Sequence, residues 1–262
     1  MIEAQHAPAG IVRRMRIDAE RVFYCGDLGQ PAMRRFGSLL ALVSLDAPIR
    51  CRFEGGDWQE GACVVVQPYV RHQLWCETRK ICNLLIEPET VDPQALPDFL
   101  RATTGVVEAP GFMRRMRAAA FGAPLPDPVL DLAFFSAPLP RRPLAPRIAA
   151  ALQRLGQSPD LRVDTDQLAA QAGLSVSRFL HLFKQETGCS FRALRAWKRA
   201  RMLLPSINQT LNLATLAQDF GYPDSTHFSH SIRGHFGISP KDILRGCRRI
   251  RIVDAAAAVA PA

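Results

Sequence analysis

Short apolar runs separated by turn-forming residues dominate the first third of the chain. The runs rich in strand-forming residues are 36–45, 49–53, 63–67, 73–76 and 80–86. Residues of this kind fit pleated, half-buried strands, and Gly and Asp clusters between them mark turns. Several short strands at this spacing predict a small β-sandwich or barrel.

Two helical segments are predicted after these strands. Asp92 is a suitable N-cap for a helix that ends near Gly105, and apolar residues recur at helical spacing through 112–121. We therefore expect helices within 92–121, and they are candidates for a dimer interface.

A proline-rich stretch separates this region from the rest. Seven of the 20 prolines lie between residues 124 and 146. Proline lacks the backbone donor, so this stretch cannot be one helix or an inner strand. We predict an N-terminal domain at 1–123 and a linker at 124–146, in which the apolar piece 129–135 is able to form a docking helix.

The pattern after the linker is helical, and it repeats. Residues 168–174 match residues 216–222, and the match resumes one residue out of step, where Phe179 pairs with Phe228 and Gly188 pairs with Gly237. Two copies with the same downstream spacing are a strong signal of a duplicated unit.

Each copy has the features of a helix-turn-helix. Asp164 and Asn212 can cap the first helices, and Gly173 and Gly221 stand where the chain must leave a helix with positive φ. Ser175 or Ser177, and Asp224 or Ser225, can cap the second helices. A helix at 190–204 joins the copies and would hold the two units in a fixed relation. The helical domain is predicted at 147–251 and a flexible tail at 252–262.

The positive charge is concentrated in this helical part. Residues 1–140 contain 15 Lys and Arg against 16 Asp and Glu, whereas residues 141–262 contain 18 against 8. A basic domain beside a nearly neutral one indicates a module that binds a polyanion, joined to a domain with another role.

Both copies contain a longer set of characteristic residues. These are Leu168-Ala169, Gly173-Leu174-Ser175, Phe183-Lys184, Thr187-Gly188-Cys189-Ser190-Phe191, Leu194, Trp197-Lys198-Arg199, Leu216-Ala217, Gly221-Tyr222, Phe228-Ser229 and Phe236-Gly237-Ile238-Ser239-Pro240. With them, residues from about 145 to 246 resemble the DNA-binding domain of the AraC/XylS family of transcription regulators. The segment 61–68 followed by His72 resembles, less specifically, the cupin-like N-terminal domain of the same family.

The resemblance implies an α+β protein: a cupin-like β-barrel or sandwich with trailing helices, then an all-α domain of two helix-turn-helix units joined by a linker helix. It also implies DNA contacts. The base-facing positions are Ser177, Arg178, His181, Ser225, Thr226 and His230. The positions facing the DNA backbone are Lys184, Arg195, Lys198, Ser229 and Arg233. An arginine can bond both O6 and N7 of guanine, so Arg178 is the strongest base-reading candidate.

The implied partners are double-stranded DNA, a second copy bound through the N-terminal domain, RNA polymerase for an activator, and a small-molecule effector. Strand positions that face inward would line the effector pocket, although core packing is the competing role for most of them. These positions are Leu42, Val64, Val66, His72, Trp75 and Leu84.

No catalytic or metal site is expected. Only His6 precedes His72, so the paired histidines of metal-binding cupins are missing, and we predict no metal, no cofactor and no enzyme activity. Two alternatives stay open: a cupin-type enzyme, or a thiol-based redox sensor that uses one of the seven cysteines. The chain has neither a long apolar segment nor a secretory signal, which predicts a cytoplasmic protein without membrane contact.

Overall fold

The N-terminal part is built from short strands, and all five predicted runs contain one. In the computed structural model, the described residues are 11–101, 103–125, 130–157, 163–207, 212–246 and 250–254. The strands in these ranges are β1 (Arg14–Ile17), β2 (Arg21–Asp27), β3 (Leu39–Ser44), β4 (Ile49–Phe53), β5 (Gln59–Gly61), β6 (Cys63–Val66), β7 (His72–Cys76), β8 (Lys80–Ile86), β9 (Gly105–Val106) and β10 (Arg251–Asp254).

The strands form two sheets that pack face to face. The larger sheet has the order β10-β1-β2-β8-β3-β6-β9, and the smaller has the order β5-β4-β7. Leu42 and Val64 of the larger sheet share one buried cluster with Cys51 and Leu74 of the smaller sheet. The α+β class with an N-terminal β-sandwich is therefore confirmed.

Of the two helices predicted within 92–121, the prediction of the first is wrong. Residues 92–104 form turns where they are described, and β9 follows at 105. Asp92 accepts a bond from the backbone of Gln94, but Pro97 lacks the N–H that a continuing helix would need. The second predicted helix is present as α1 (Pro110–Ala120), which packs on the face of the larger sheet opposite to the smaller one.

The linker region packs against the sheet through a short helix, α2 (Leu130–Phe135). Leu130 and Phe134 are fully buried, as expected for a docking helix. Asp131 forms a buried ion pair with Arg21 on β2, in which Nε of the arginine lies 2.7 Å from Oδ1 of the aspartate. Residues 126–129 lie outside the described ranges.

The C-terminal part is helical. Its helices are α3 (Pro146–Gly156), α4 (Thr165–Gln171), α5 (Val176–Thr187), α6 (Phe191–Arg201), α7 (Leu213–Asp219), α8 (Ser225–Phe236) and α9 (Pro240–Gly246), and short 3-10 helices occur at Pro88–Thr90 and Leu204–Ser206. Across the ranges described above, every helix falls short of the length and apolar content that a membrane crossing requires.

The start of the predicted flexible tail is a strand instead. β10 pairs in parallel with β1, with Arg251 in register with Arg14, and the preceding Ile250 is buried. The reason is that β1 would otherwise be a sheet edge with unpaired backbone groups, and β-branched residues follow one another at 252 and 253. Residues 255–262 lie outside the described part of the chain.

The two helical units have different cores. Phe179 and Phe183 belong to a cluster that the first unit, α4 and α5, forms together with α3 and the first part of α6. Phe228 and Ile232 of the second unit, α7 and α8, belong to the same cluster as Leu85 of the N-terminal sheet. The second unit therefore covers the part of the larger sheet that the smaller sheet leaves free.

Trp197 of α6 lies at the centre of this junction and is fully buried. Its ring meets Phe36 edge-on with centroids 5.4 Å apart, and it lies 5.9 Å from the ring of Phe236. Gly37 permits this approach, because a Cβ at that position would lie 2.2 Å from Cγ of the tryptophan. The joining helix is thus packed directly against the N-terminal domain.

Candidate nucleic-acid interface

The first helix-turn-helix unit follows the predicted local chemistry. Asp164 caps α4 by accepting a bond from the backbone of Asp166, and Gly173 leaves the helix with φ of 65°. Ser175, rather than Ser177, caps α5 by accepting from the backbone N–H of Arg178 at 3.3 Å. Ser177 is thereby left free to act outside the helix terminus.

The outer side of α5 carries the residues predicted to meet DNA. Ser177, Arg178, His181 and Lys184 are all exposed, while Phe179 and Phe183 of the same helix are buried. The structure therefore brings these four predicted residues together on one accessible side of one helix.

The second unit repeats the arrangement. Asn212 caps α7, Gly221 has φ of 70°, and Asp224 caps α8 through the backbone N–H groups of Thr226 and His227, both at 2.8 Å. The predicted base-facing residues of this unit are exposed, as is the predicted backbone contact Arg233, whereas Ser229 is half-buried. These base-facing residues are Ser225, Thr226 and His230.

Two residues of α6 that were predicted to contact the DNA backbone make contacts within the protein instead. Arg195 donates to the backbone carbonyl of Val163 at 3.2 Å. The ammonium of Lys198 lies 2.7 Å from Glu87 and 2.5 Å from Glu89, both on the N-terminal domain. We correct the assignment of Lys198, because a cation held by two buried carboxylates is not available to a phosphate.

Glu87 is the centre of a buried polar cluster at the junction. Its carboxylate accepts from Ser38 at 2.8 Å and from Nε1 of Trp197 at 3.1 Å, and it pairs with Lys198 and Arg201. Burial opposes ionisation, but the two cations outweigh it and lower the pKa of Glu87. Sequence reasoning did not assign this role; the available signal was a charged residue at the end of an apolar strand.

The predicted pocket residues do not line a shared cavity. Leu42, Val64 and Val66 fill the sandwich core, and Leu84 belongs to the cluster on the opposite face of the sheet. Trp75 is 41% exposed on the outside of the smaller sheet. The inward strand positions at 42, 64 and 66 pack between the two sheets, as in the competing role of core packing, and the assignment of a pocket to them stays a prediction.

One apolar cavity lies between the N-terminal sheet and the second unit. Its volume is about 470 Å³, and its walls include Val22, Ile81 and Leu85 from the sheet and Ile207 and Phe236 from the helical part. A molecule bound there would touch both domains at once.

Arg34 contributes an unusual charge to this cavity. Its guanidinium is buried over the ring of Phe36 and donates to Nε2 of His72 at 3.3 Å and to the carbonyl of Phe236 at 3.1 Å. Burial lowers the pKa of Arg34 to about 9, so the group is still cationic at neutral pH. Among the described residues, no carboxylate lies within ion-pair distance of it. Nothing in the local sequence distinguished Arg34 from other arginines.

His72 is a buried structural residue beside the cavity. It stacks on Phe36, its Nδ1 lies 2.9 Å from the carbonyl of Val70, and burial together with Arg34 lowers its pKa to about 3. Because the unfolded state binds a proton below about pH 6.5 and the folded state does not, stability falls as the pH drops from 6.5 towards 3. The expected loss from this group is about 1.4 kcal/mol per pH unit.

Urea unfolding of the wild-type protein and of His72→Gln between pH 7 and pH 5 measures this contribution. The variant should lose less stability over that range than the wild type. Equal losses in the two proteins would contradict a neutral buried His72.

The described cysteines are buried. Burial raises the pKa of Cys25 and Cys51 to about 11 and that of Cys63 to about 12, and it also raises the pKa of Cys82 and Cys189. A thiol is reactive as the thiolate, so these environments disfavour the redox-sensor alternative. Cys247 lies outside the described residues.

Comparison with known proteins gives matches to this region and to the fold. A family model described as a helix-turn-helix domain matches residues 168–246. The chain is 30% identical over 109 residues to the arabinose operon regulatory protein of Escherichia coli, covering 40% of this chain and 37% of that protein. It is 32% identical over 77 residues to the invasion protein InvF of Salmonella typhi, covering 29% and 36% respectively. The chain thus spans well under half the length of these relatives.

A solved structure resembles the whole architecture. An apo ToxT variant from Vibrio cholerae has a TM-score of 0.53 at 10% identity, covering 88% of this chain and 99% of that one. At this identity the likeness concerns the fold, which has a sheet-rich N-terminal part and a helical C-terminal part in both proteins.

Proposed function

We propose that this protein is a transcription regulator of the AraC type that binds double-stranded DNA through both units. Residues 168–246 match a helix-turn-helix family model, and the chain is similar to the arabinose operon regulatory protein of E. coli. The carrying observation is the repeated pair of capped helices, each with predicted base-facing side chains on an exposed side. The excess of Lys and Arg in residues 141–262 supports the proposal, since phosphate neutralisation supplies much of the affinity for DNA. The E. coli relative is a regulator by name, which favours regulation over the enzyme alternative.

Arg178→Ala should cost roughly 1–3 kcal/mol of specific binding and relax the sequence preference at one position, because a bidentate contact to guanine is lost. The measurement is a salt series of binding to fragments of the protein's own promoter and to a scrambled duplex. Lys184→Ala is the matched control on the same helix. Removing a phosphate contact should weaken binding to all sequences alike and lower the salt slope by about one.

Equal selectivity in Arg178→Ala and the wild type would move base reading to other residues. Binding of the wild-type protein to the promoter and to the scrambled duplex with the same affinity would contradict the proposed function itself.

We further propose that the cavity between the sheet and the second unit holds the effector, and that this effector is an apolar molecule with a carboxylate. The apolar walls suit a hydrocarbon body. The buried cation of Arg34, which lacks a carboxylate partner in the described chain, suits an anionic end group. A ligand in this position would bias how the second unit packs on the N-terminal domain.

Decanoate should raise the Tm of the protein more than decanol does, because only the acid can pair with Arg34. Near tenfold excess over Kd, the rise for decanoate is expected to be roughly 3 °C. Arg34→Met should abolish the preference for the acid when each shift is referred to the variant's own unliganded Tm. Arg79→Met, at the exposed rim of the same cavity, is the control and should keep it. Equal shifts with acid and alcohol in the wild-type protein would contradict the carboxylate assignment.

Four further points stay predictions: dimerisation through the N-terminal domain, contact with RNA polymerase, activation of transcription, and a cytoplasmic location. In a DNA footprinting experiment, protection of two half-sites related by a two-fold axis would support the dimer.

A further inference from the structure

Leu180 is an exposed apolar side chain on the first recognition helix. Within the described residues of 168–246, it is the one large apolar side chain with more than a third of its surface exposed, at 38%. An exposed leucine on a surface is ordinary in itself. Its position within the candidate DNA-binding surface is what gives it a role.

The neighbours of Leu180 on the same side of α5 are the predicted DNA contacts. Ser177 is three residues before it, His181 follows it, and Lys184 is four residues after it, and all three are exposed. Residues three and four apart are neighbours on a helix surface. Phe179 and Phe183 turn the other way into the core, so Leu180 stands within an otherwise polar exposed stripe.

We propose that Leu180 reads a thymine by contact with its C5-methyl group in the major groove, which deepens and rests on the proposed function. The methyl group is the one apolar feature that a base pair presents in that groove. An apolar side chain there gains by shielding the methyl group from water. It offers no hydrogen bond to guanine, adenine or cytosine.

The second unit lacks an equivalent group. The residue at the corresponding position of the repeat, 49 residues later, is Ser229, which is half-buried and polar. The proposed leucine contact therefore has no counterpart at the same position of the second unit, and it makes the two halves of the recognised sequence chemically different.

The test begins with selection of bound sequences from a randomised DNA library by the wild-type protein and by Leu180→Ala. The wild type should enrich thymine at one position of the first unit's site, and the variant should not. Leu132→Ala is the matched control, because that leucine is also exposed, at 42%, but lies on α2 outside the helix-turn-helix region. It should enrich the same sequences as the wild type.

Replacing the enriched thymine by deoxyuridine removes only the methyl group. The Kd of the wild type and of Leu132→Ala should rise about fourfold, the change expected for losing one buried methyl group. The Kd of Leu180→Ala should not change with that replacement. Circular dichroism and Tm of the variants check folding, and loss of an exposed side chain should leave both unchanged.

Two results would overturn the inference: enrichment without any thymine preference that depends on Leu180, or the same deoxyuridine penalty in Leu180→Ala as in the wild type. Either result would leave specific DNA binding intact. Failure of the wild-type protein to enrich any sequence would instead defeat the proposed function.

Discussion

Trp197→Ala is expected to lower the free energy of unfolding by about 3–5 kcal/mol, the range for truncating a large core aromatic residue. The side chain is fully buried between the N-terminal domain and the second helix-turn-helix unit. Its removal leaves a cavity beside Phe36 and Phe236 and deprives Glu87 of a donor. Both effects act against the same folded arrangement.

Chemical denaturation measures this change, and Trp75→Ala provides the matched control. Trp75 is 41% exposed on the smaller sheet, so its loss should cost under about 1 kcal/mol. Similar costs for the two variants would mean that Trp197 does not occupy the junction in solution. Hydrogen exchange measures the stability of the first unit by itself. If the first unit keeps its protection in Trp197→Ala, this agrees with its having a separate core.

Glu87→Ala is expected to destabilise the protein by about 3–5 kcal/mol, because removing one partner of a buried ion pair leaves the other charge uncompensated. Lys198 and Arg201 would both lose their pairing with Glu87 at the junction. Glu89 would keep its contact with Lys198, but burial raises the pKa of Glu89 and weakens it as a replacement.

The variant Glu54→Ala is the control for Glu87→Ala. Glu54 pairs with Arg71 on the surface, and such pairs contribute about 0–1 kcal/mol. In the double variant Glu87→Gln with Lys198→Met, part of the stability should return, since one buried charge is removed from each side, while Arg201 still lacks its pairing with Glu87. A surface-sized effect of Glu87→Ala in urea unfolding would refute a buried role for this cluster.

These two residues would matter for the proposed function, because they lie at the junction between the N-terminal domain and the second unit, where the proposed effector cavity is also found. The cavity, Trp197 and the second unit share one continuous core with the N-terminal sheet, whereas the first unit has its own. A ligand that changes the packing around Phe236 would act on the second unit and on α6. We expect effector binding to change the relation between the two recognition helices.

Much of the helical part was predictable because its signals are local. The capping residues Asp164 and Asn212, and the glycines with positive φ at 173 and 221, each act within a few residues of chain. The repeat doubled every such signal. The exposed positions of α5, including Arg178, were implied by the family resemblance, and the helical spacing of the buried Phe179 and Phe183 agrees with them.

The first two strands show where such prediction fails. β1 and β2 were not predicted, since Arg14, Arg16 and Arg21 interrupt the apolar pattern. They are strands because β8 and β10 pair with them from distant parts of the chain. The helix predicted at 92–105 is the opposite case, a predicted element that does not form. The prolines in this segment prevent a continuous helix although Asp92 is a suitable cap.

The identity of the residues therefore set the helical units, their caps and their exposed sides, because those depend on bonds between near neighbours in the chain. The position of the cavity, the buried charge of Arg34 and the turning of Lys198 towards Glu87 depend on which surfaces meet when the domains pack. A lysine has the same appearance in a sequence whether it meets phosphate or a buried carboxylate. The partner of Lys198 is decided only when residues more than 100 positions apart in the chain come into contact.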